Sequence, residues 1–106
     1  MKEIYDELIT FQKERDWKQF HTPENLAKSI SIESGELLEH FQWQKEYDQD
    51  EVAEELADVL IYCLYMAYAL DVDVKEIIMD KMKKNALKYP VDKSRGNAKK
   101  YTEFLE

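Results

Sequence analysis

Residues 56–70 read LADVLIYCLYMAYAL, a run that is apolar at nearly every position after Asp58. With the acidic residues ahead of it the run predicts a helix from about Asp50 to Leu70. A helix that is apolar on almost all sides must be covered on most of them. Three further amphipathic helices in a chain of 106 residues struggle to do so. The helix is therefore either central or packed against its own copy in another subunit, a common solution for small all-helical domains. The expectation is an all-α chain of four helices that associates as an oligomer.

The other helices follow from periodicity and punctuation. Residues 2–17 place Ile4, Leu8, Phe11 and Arg15 at helical spacing. After them, Thr22 can cap, Pro23 suits the first helical position and Glu24 favours the positive end of the helix dipole. The second helix is thus expected from Pro23 to near Trp43, with Leu26, Ile30, Leu37 and Phe41 along one side. A polar link, QKEYDQ, leads to the third helix. Asp73 can cap a fourth that runs to about Tyr89, where Pro90 stops it. No strand pattern, internal repeat or low-complexity tract interrupts this order.

Length and composition bound the rest. A chain of this size with 44% apolar residues and a formal charge of −8 makes one globular domain, residues 1–106. The two glycines and two prolines are too few for a turn-rich fold. No apolar run reaches the eighteen or so residues of a membrane span, and the N-terminus lacks the apolar core of a signal peptide. A cytoplasmic protein without membrane partners is expected. Cys63 is the single cysteine, which excludes an intrachain disulfide and a thiolate metal cluster; its apolar neighbours read as those of a core filler.

Charge is segregated along the chain. Residues 33–58 hold ten acids against Lys45, whereas residues 81–100 hold eight bases against Asp92. Within the acidic stretch Glu33, Glu36 and Glu39 recur every three residues, where like charges on a helix repel by roughly 0.2–0.5 kcal/mol per pair. A turn of about 100° per residue puts Glu33 at the edge of the apolar arc of the second helix, with Glu36 next and Glu39 further round. On the third helix it puts Glu55 at the edge of the apolar arc, beside Asp58 and Tyr62. Packed antiparallel, the two borders bring Glu33, Glu36, Glu55 and Asp58 together. Four converging carboxylates repel unless protonated or neutralised, and a hard divalent cation neutralises them. Oxygen ligands without Cys or His suit Mg²⁺ or Mn²⁺ rather than Zn²⁺. A carboxylate-bridged di-iron bundle needs Glu-x-x-His repeats; the second helix offers His40 and the third has no histidine.

The residues RDWKQFHTPENLAKSI, ESGELLEHFQW, EELADVLIYCL and KMKKNALKYPVDKSRGNAKKY, which together cover nearly the whole chain, resemble the MazG-like nucleoside triphosphate pyrophosphohydrolases of the all-α superfamily, in particular their dCTP pyrophosphatase branch. The resemblance implies a helical bundle that dimerises or tetramerises, Mg²⁺ at the acidic cluster, and hydrolysis of a nucleoside triphosphate to the monophosphate and pyrophosphate. It places the metal ligands on Glu33, Glu36, Glu55 and Asp58, the four residues that the helical geometry selects. Glu39 matches a further acid of the motif and falls to an outer position or a second metal. Base-binding residues fall on Trp17, Trp43 and Tyr62, with Asn85 nearby; packing at helix ends is the other role open to the two tryptophans. His21 matches the family's histidine ahead of the second helix and serves either the cap region or the substrate.

The basic stretch then has a role, because a triphosphate approaches carboxylates only with metal bridging and cationic help. Lys81, Lys84, Lys88, Lys93, Arg95 and Lys100 are the candidate cations, with Tyr89 and Tyr101 as hydroxyl donors. Glu36 is the candidate for the carboxylate that orients or deprotonates the attacking water. The competing expectation is a non-catalytic helical interaction protein that docks partners through its acidic face and basic tail. Nucleic acid is a poor partner for it, since the tail lies beside a strongly negative patch.

Overall fold

Helix caps are where the chain commits to its elements. In the computed structural model, which describes residues 1–43, 45–100 and 102–103, Thr22 Oγ1 accepts a hydrogen bond from the Asn25 backbone N–H at 3.2 Å. Asp48 accepts from Asp50 and Glu51, and Asp73 from Glu76 at 2.8 Å. Each cap satisfies N–H groups that the first helical turn leaves unpaired. The elements are α1 (Lys2–Glu14), α2 (Pro23–Glu39), α3 (Gln49–Ala69), α4 (Val74–Lys88) and a short α5 (Val91–Ser94), with no strand among the described residues. The chain is all-α.

Two helix ends turn through the left-handed region at an aspartate, Asp16 with φ 53° and Asp71 with φ 55°. Around Asp16 the Trp17 N–H reaches back to Gln12 O and the Asp16 N–H to Lys13 O; around Asp71 the N–H groups of Val72 and Asp71 reach Ala67 O and Tyr68 O. This is the Schellman pattern with aspartate where glycine is usual, and aspartate tolerates the conformation better than most residues. α2 stops at Glu39, short of the expected Trp43. His40, Phe41 and Gln42 pair with Leu37, Leu38 and Glu39 three residues back, so the last turn tightens and unwinds. Pro90 ends α4 as expected and also caps α5.

The chain forms two compact units, Met1–Val72 and Asp73–Glu106. In the first, α2 packs along α3 and α1 meets α3 more sparsely. The pairing of α2 and α3 is antiparallel: His21, just ahead of α2, lies 4.6 Å ring to ring from Tyr65 late in α3, whereas His40, just after α2, meets Glu55 early in α3. Leu26, at 1% exposure, is the anchor of α2, and burial of such a side chain contributes about 1.5–3 kcal/mol.

α1 is held by tyrosines rather than by the predicted apolar face. The Tyr5 hydroxyl donates to Leu64 O at 3.2 Å and the Tyr65 hydroxyl to Leu8 O at 2.8 Å. Its inward face therefore runs through Tyr5, Leu8 and Gln12, while Ile4 and Phe11 remain substantially exposed. Gln12 is buried because its amide finds the His21 ring, 2.6 Å from Nε2 to Nδ1. Arg15, on the predicted face, instead lays its guanidinium 3.5 Å above the Phe11 ring. Cys63 is exposed on α3, which corrects its reading as a core filler. Only Tyr65 and Ala67 of that helix are buried, because two neighbouring helices cannot surround it.

The second unit holds α4 and α5. α4 is exposed along most of its length, with Lys81, Lys84, Asn85 and Lys88 on it and Tyr89 as its C-cap. Tyr101 lies outside the described residues.

Candidate metal centre and nucleotide site

The antiparallel pairing of α2 and α3 brings the acids at their borders together. One carboxylate oxygen each from Glu33, Glu55 and Asp58 lies within 4.8 Å of the others. Glu33 and Glu55 are half-buried and Asp58 is exposed. Glu36 joins the group through a side-chain hydrogen bond to Glu33. That bond, then burial, then the charges of Glu36, Asp58 and Glu55 push the Glu33 carboxyl up from the usual carboxylate range to about 6. Glu33 Oε2 is sealed from solvent and has no hydrogen-bond partner.

A hard divalent cation fits this arrangement. Oxygen donors from three carboxylates converge, the ionised forms repel one another, and a buried acceptor oxygen lacks a donor. Glu33, Glu55 and Asp58 can supply ligand atoms together, and Glu36 stands beside them on the next turn of α2. An open recess of about 410 Å³ is lined by Glu36, Glu39, His40 and Glu55, so Glu39 sits beside the cluster rather than within it.

The residues expected to hold the base are spread over the first unit. Tyr62 is half-buried on α3, one turn beyond Asp58. Trp17 follows the α1 cap and packs edge-on against Phe11, with ring centroids 5.7 Å apart, and against His21 at 6.3 Å. Trp43 lies past the end of α2 and is 85% exposed. His21 stands two turns along α3 from Asp58, roughly 10 Å at 1.5 Å per residue. Burial lowers its pKa, and the Gln12 amide holds its ring. With Gln12, Lys18 and Tyr68 it lines a second recess of about 350 Å³. Lys84, Asn85, Lys88 and Tyr89 belong to the second unit.

Two features escaped sequence reasoning. The Gln12–His21 contact has no sequence signal, since a glutamine on a helix reads as solvated. His40 did leave one: it follows Glu36 by four residues and therefore shares its helix face. Its Nε2 lies 3.6 Å from Glu55 Oε1.

No helix among the described residues is long and apolar enough to cross a membrane. The chain resembles dCTP pyrophosphatase 1 of Mus musculus, 43% identical over 104 residues that cover 89% of this chain and 61% of that protein. The Homo sapiens dCTP pyrophosphatase 1 is 39% identical over the same shares of the two chains. The chain thus spans about three fifths of the length of these relatives. Among solved structures, a pyrophosphatase from Archaeoglobus fulgidus superposes with a TM-score of 0.77 at 45% identity, covering 85% of this chain and 92% of that one. The MazG-like family model matches residues 28–104, a span that takes in the clustered acids of α2 and α3 and the basic stretch, and on that match this chain belongs to the MazG-like family.

Proposed function

We propose that the protein is a metal-dependent nucleoside triphosphate pyrophosphohydrolase that prefers dCTP or a modified dCTP, cleaving it to the monophosphate and pyrophosphate in the cytoplasm. The observation that carries this reading is the meeting of Glu33, Glu55 and Asp58 within 4.8 Å on two helices of a MazG-like chain. The family match runs through both compact units, which supports treating residues 1–106 as one functional domain.

Glu33, Glu36, Glu55 and Asp58 would hold Mg²⁺, or Mn²⁺ in its place. When bound, the cation neutralises the carboxylates and polarises phosphoryl oxygens. Glu36, exposed at the rim, orients a water and takes its proton as the water oxygen bonds to the α-phosphorus. The bridging bond from the α-phosphorus to the β-phosphate oxygen breaks in line, and pyrophosphate leaves with that oxygen. Lys84 and Lys88, with the Tyr89 hydroxyl, offset the charge of the triphosphate. Trp17, Trp43 and Tyr62 offer flat faces to the base. Stacking tolerates any base, so discrimination falls to slot width and to a donor–acceptor pair such as the Asn85 amide. A narrow aromatic slot favours a pyrimidine, and the relatives that carry the name dCTP pyrophosphatase point the same way. His21, two turns from the acids, serves the helix junction or the distal part of the substrate.

The assembly is a homo-oligomer. Leu56, Leu60 and Cys63 form an exposed stripe on α3 at helical spacing, which a second copy of the helix would cover.

The deciding experiment incubates the protein with Mg²⁺ and a panel of ribo- and deoxyribonucleoside triphosphates and identifies the products. Monophosphate plus pyrophosphate from dCTP is expected. Release of single phosphates, or a kcat/KM for dATP or dGTP equal to or above that for dCTP, contradicts the proposal.

A further inference from the structure

The junction of α1 and α2 holds a cavity that the hydrolysis described above leaves without a role. A recess of about 350 Å³ opens where α1, the start of α2 and the end of α3 meet, a size within the range of small-molecule sites. Gln12 lines it although only 1% of that residue is exposed, and its Oε1 has no hydrogen-bond partner among the described residues. A buried acceptor without a donor is destabilising, which favours a ligand that brings an N–H to it. On its other side the Gln12 amide meets His21, with Nε2 2.6 Å from Nδ1. An amide nitrogen can only donate, so Nδ1 accepts and the ring proton sits on Nε2. Burial, which lowers the pKa of His21, is in keeping with that state. His21 lines the recess too, and the two residues give it an acceptor and a donor side by side.

The rest of the lining fits one class of ligand. Tyr68 and Pro23 supply flat and apolar wall. Lys18 and Asp71 are exposed at the rim, and neither forms an ion pair among the described residues. The acceptor and donor match the paired donor and acceptor on the edge of a nucleobase, and the tyrosine ring matches its face. The lysine ammonium suits a phosphate, and the carboxylate suits a sugar hydroxyl. None of Glu33, Glu36, Glu55 and Asp58 lines this recess. Tyr68 is ten residues past Asp58 on α3, roughly 15 Å away at 1.5 Å per residue. From the unpartnered Gln12 amide oxygen, the His21 ring beside it and the unpaired charges at the rim we infer that the recess is a second binding site, separate from the carboxylates, that takes a nucleoside monophosphate. The choice of dCMP as its ligand rests on the proposed function, of which dCMP is the product; the recess itself does not.

The test titrates dCMP into the full chain in chelator, without divalent cation, and reads binding by calorimetry. One dCMP per chain is expected, bound more tightly than deoxycytidine and more tightly than inorganic phosphate. Lys18→Ala and Asp71→Gly should each weaken it about tenfold, the scale of one lost charge-assisted hydrogen bond. Both positions are exposed, and glycine takes the left-handed turn at Asp71, φ 55°, without strain. Glu33→Gln and Asp58→Asn should bind dCMP as the native chain does. Absence of binding, unchanged binding in either rim variant, or loss of binding in the two acid variants overturns the inference, as does inorganic phosphate that binds as tightly as dCMP. A triphosphate panel without hydrolysis, with dCMP binding intact, removes the proposed function and leaves the recess standing as a nucleotide site.

Discussion

Glu33 concentrates the physical tension of the acidic cluster. Its hydrogen bond to Glu36, its burial and its anionic neighbours hold its carboxyl at about 6 in the folded chain, above the ordinary carboxylate range. The folded state therefore binds this proton more tightly than the unfolded state does. The resulting stabilisation is complete below about pH 4.5 and is lost as pH rises through about 6. In chelator, the melting temperature of the native chain should fall relative to that of Glu33→Gln across this window, and parallel melting curves for the two proteins would contradict it. With saturating Mn²⁺ the trend should reverse, because the cation needs the deprotonated carboxylate. Catalysis gives a second prediction: Glu36→Gln and Asp58→Asn should each abolish hydrolysis without loss of helicity, since either change removes one member of a repelling group. Near-native turnover in either variant would sink the site assignment. Trp43 gives a third. At 85% exposure its truncation should change stability by no more than about 0.5 kcal/mol. If it stacks on the base, KM should rise about tenfold, in keeping with the roughly 1–3 kcal/mol of a stacked base, while kcat changes less because the stack is the same in ground and transition states. An unchanged KM would remove Trp43 from the site.

At the scale of elements, α1 depends on two crossed tyrosine contacts to α3. The hydroxyl of Tyr65 donates to Leu8 O, and burial, opposed by Arg15 and aided by Tyr62, raises its pKa. The same ring faces His21 at 4.6 Å and so joins α1, the α1–α2 junction and α3. Tyr65→Phe keeps the ring packing and removes the donor, and it should cost about 1 kcal/mol, or about 4–8 °C in melting temperature for a domain of 60–100 residues. Thr22→Ala should cost a similar amount by removing the cap of α2. Hydrolysis by the folded fraction should survive both changes, as neither residue adjoins the acids.

At the scale of the molecule, exposed apolar surface is the open account. Leu60 is 53% exposed and Leu56 45%, beside exposed Cys63 on one stripe of α3. A mass at least twice that of the 12.7 kDa chain is expected from light scattering at micromolar concentration. Leu60→Glu, at a position more than half exposed in the single chain, should dissociate the assembly and speed thiol labelling of Cys63. A monomeric native protein, or labelling equally fast in both forms, would contradict the interface. Metal binding should act on the same scale: cation at a hundredfold excess over its Kd adds about 2.7 kcal/mol to stability by mass action, whereas a merely solvated acidic face should give only weak, unspecific salt effects.

The helices and the acidic borders were legible because they depend on local rules. Thr22 and Asp73 cap where their short polar side chains can reach free N–H groups, prolines start or stop helices, and the 3.6-residue period assigns Glu33, Glu55 and Asp58 to helix edges before any packing is known. The family resemblance rested on the same acids together with motifs spread along nearly the whole chain. Other features depended on which side chains meet across elements, and periodicity is silent about that. The inward face of α1 passed to Gln12 once the His21 ring was there to partner its amide, and Cys63 stayed exposed because the neighbouring helices cover only part of α3. His40 met Glu55 only through the antiparallel register of α2 and α3. A helical wheel ranks faces by hydrophobicity; a buried amide or an imidazole beside a carboxylate is stabilised by one specific partner, and the packed chain supplies that partner.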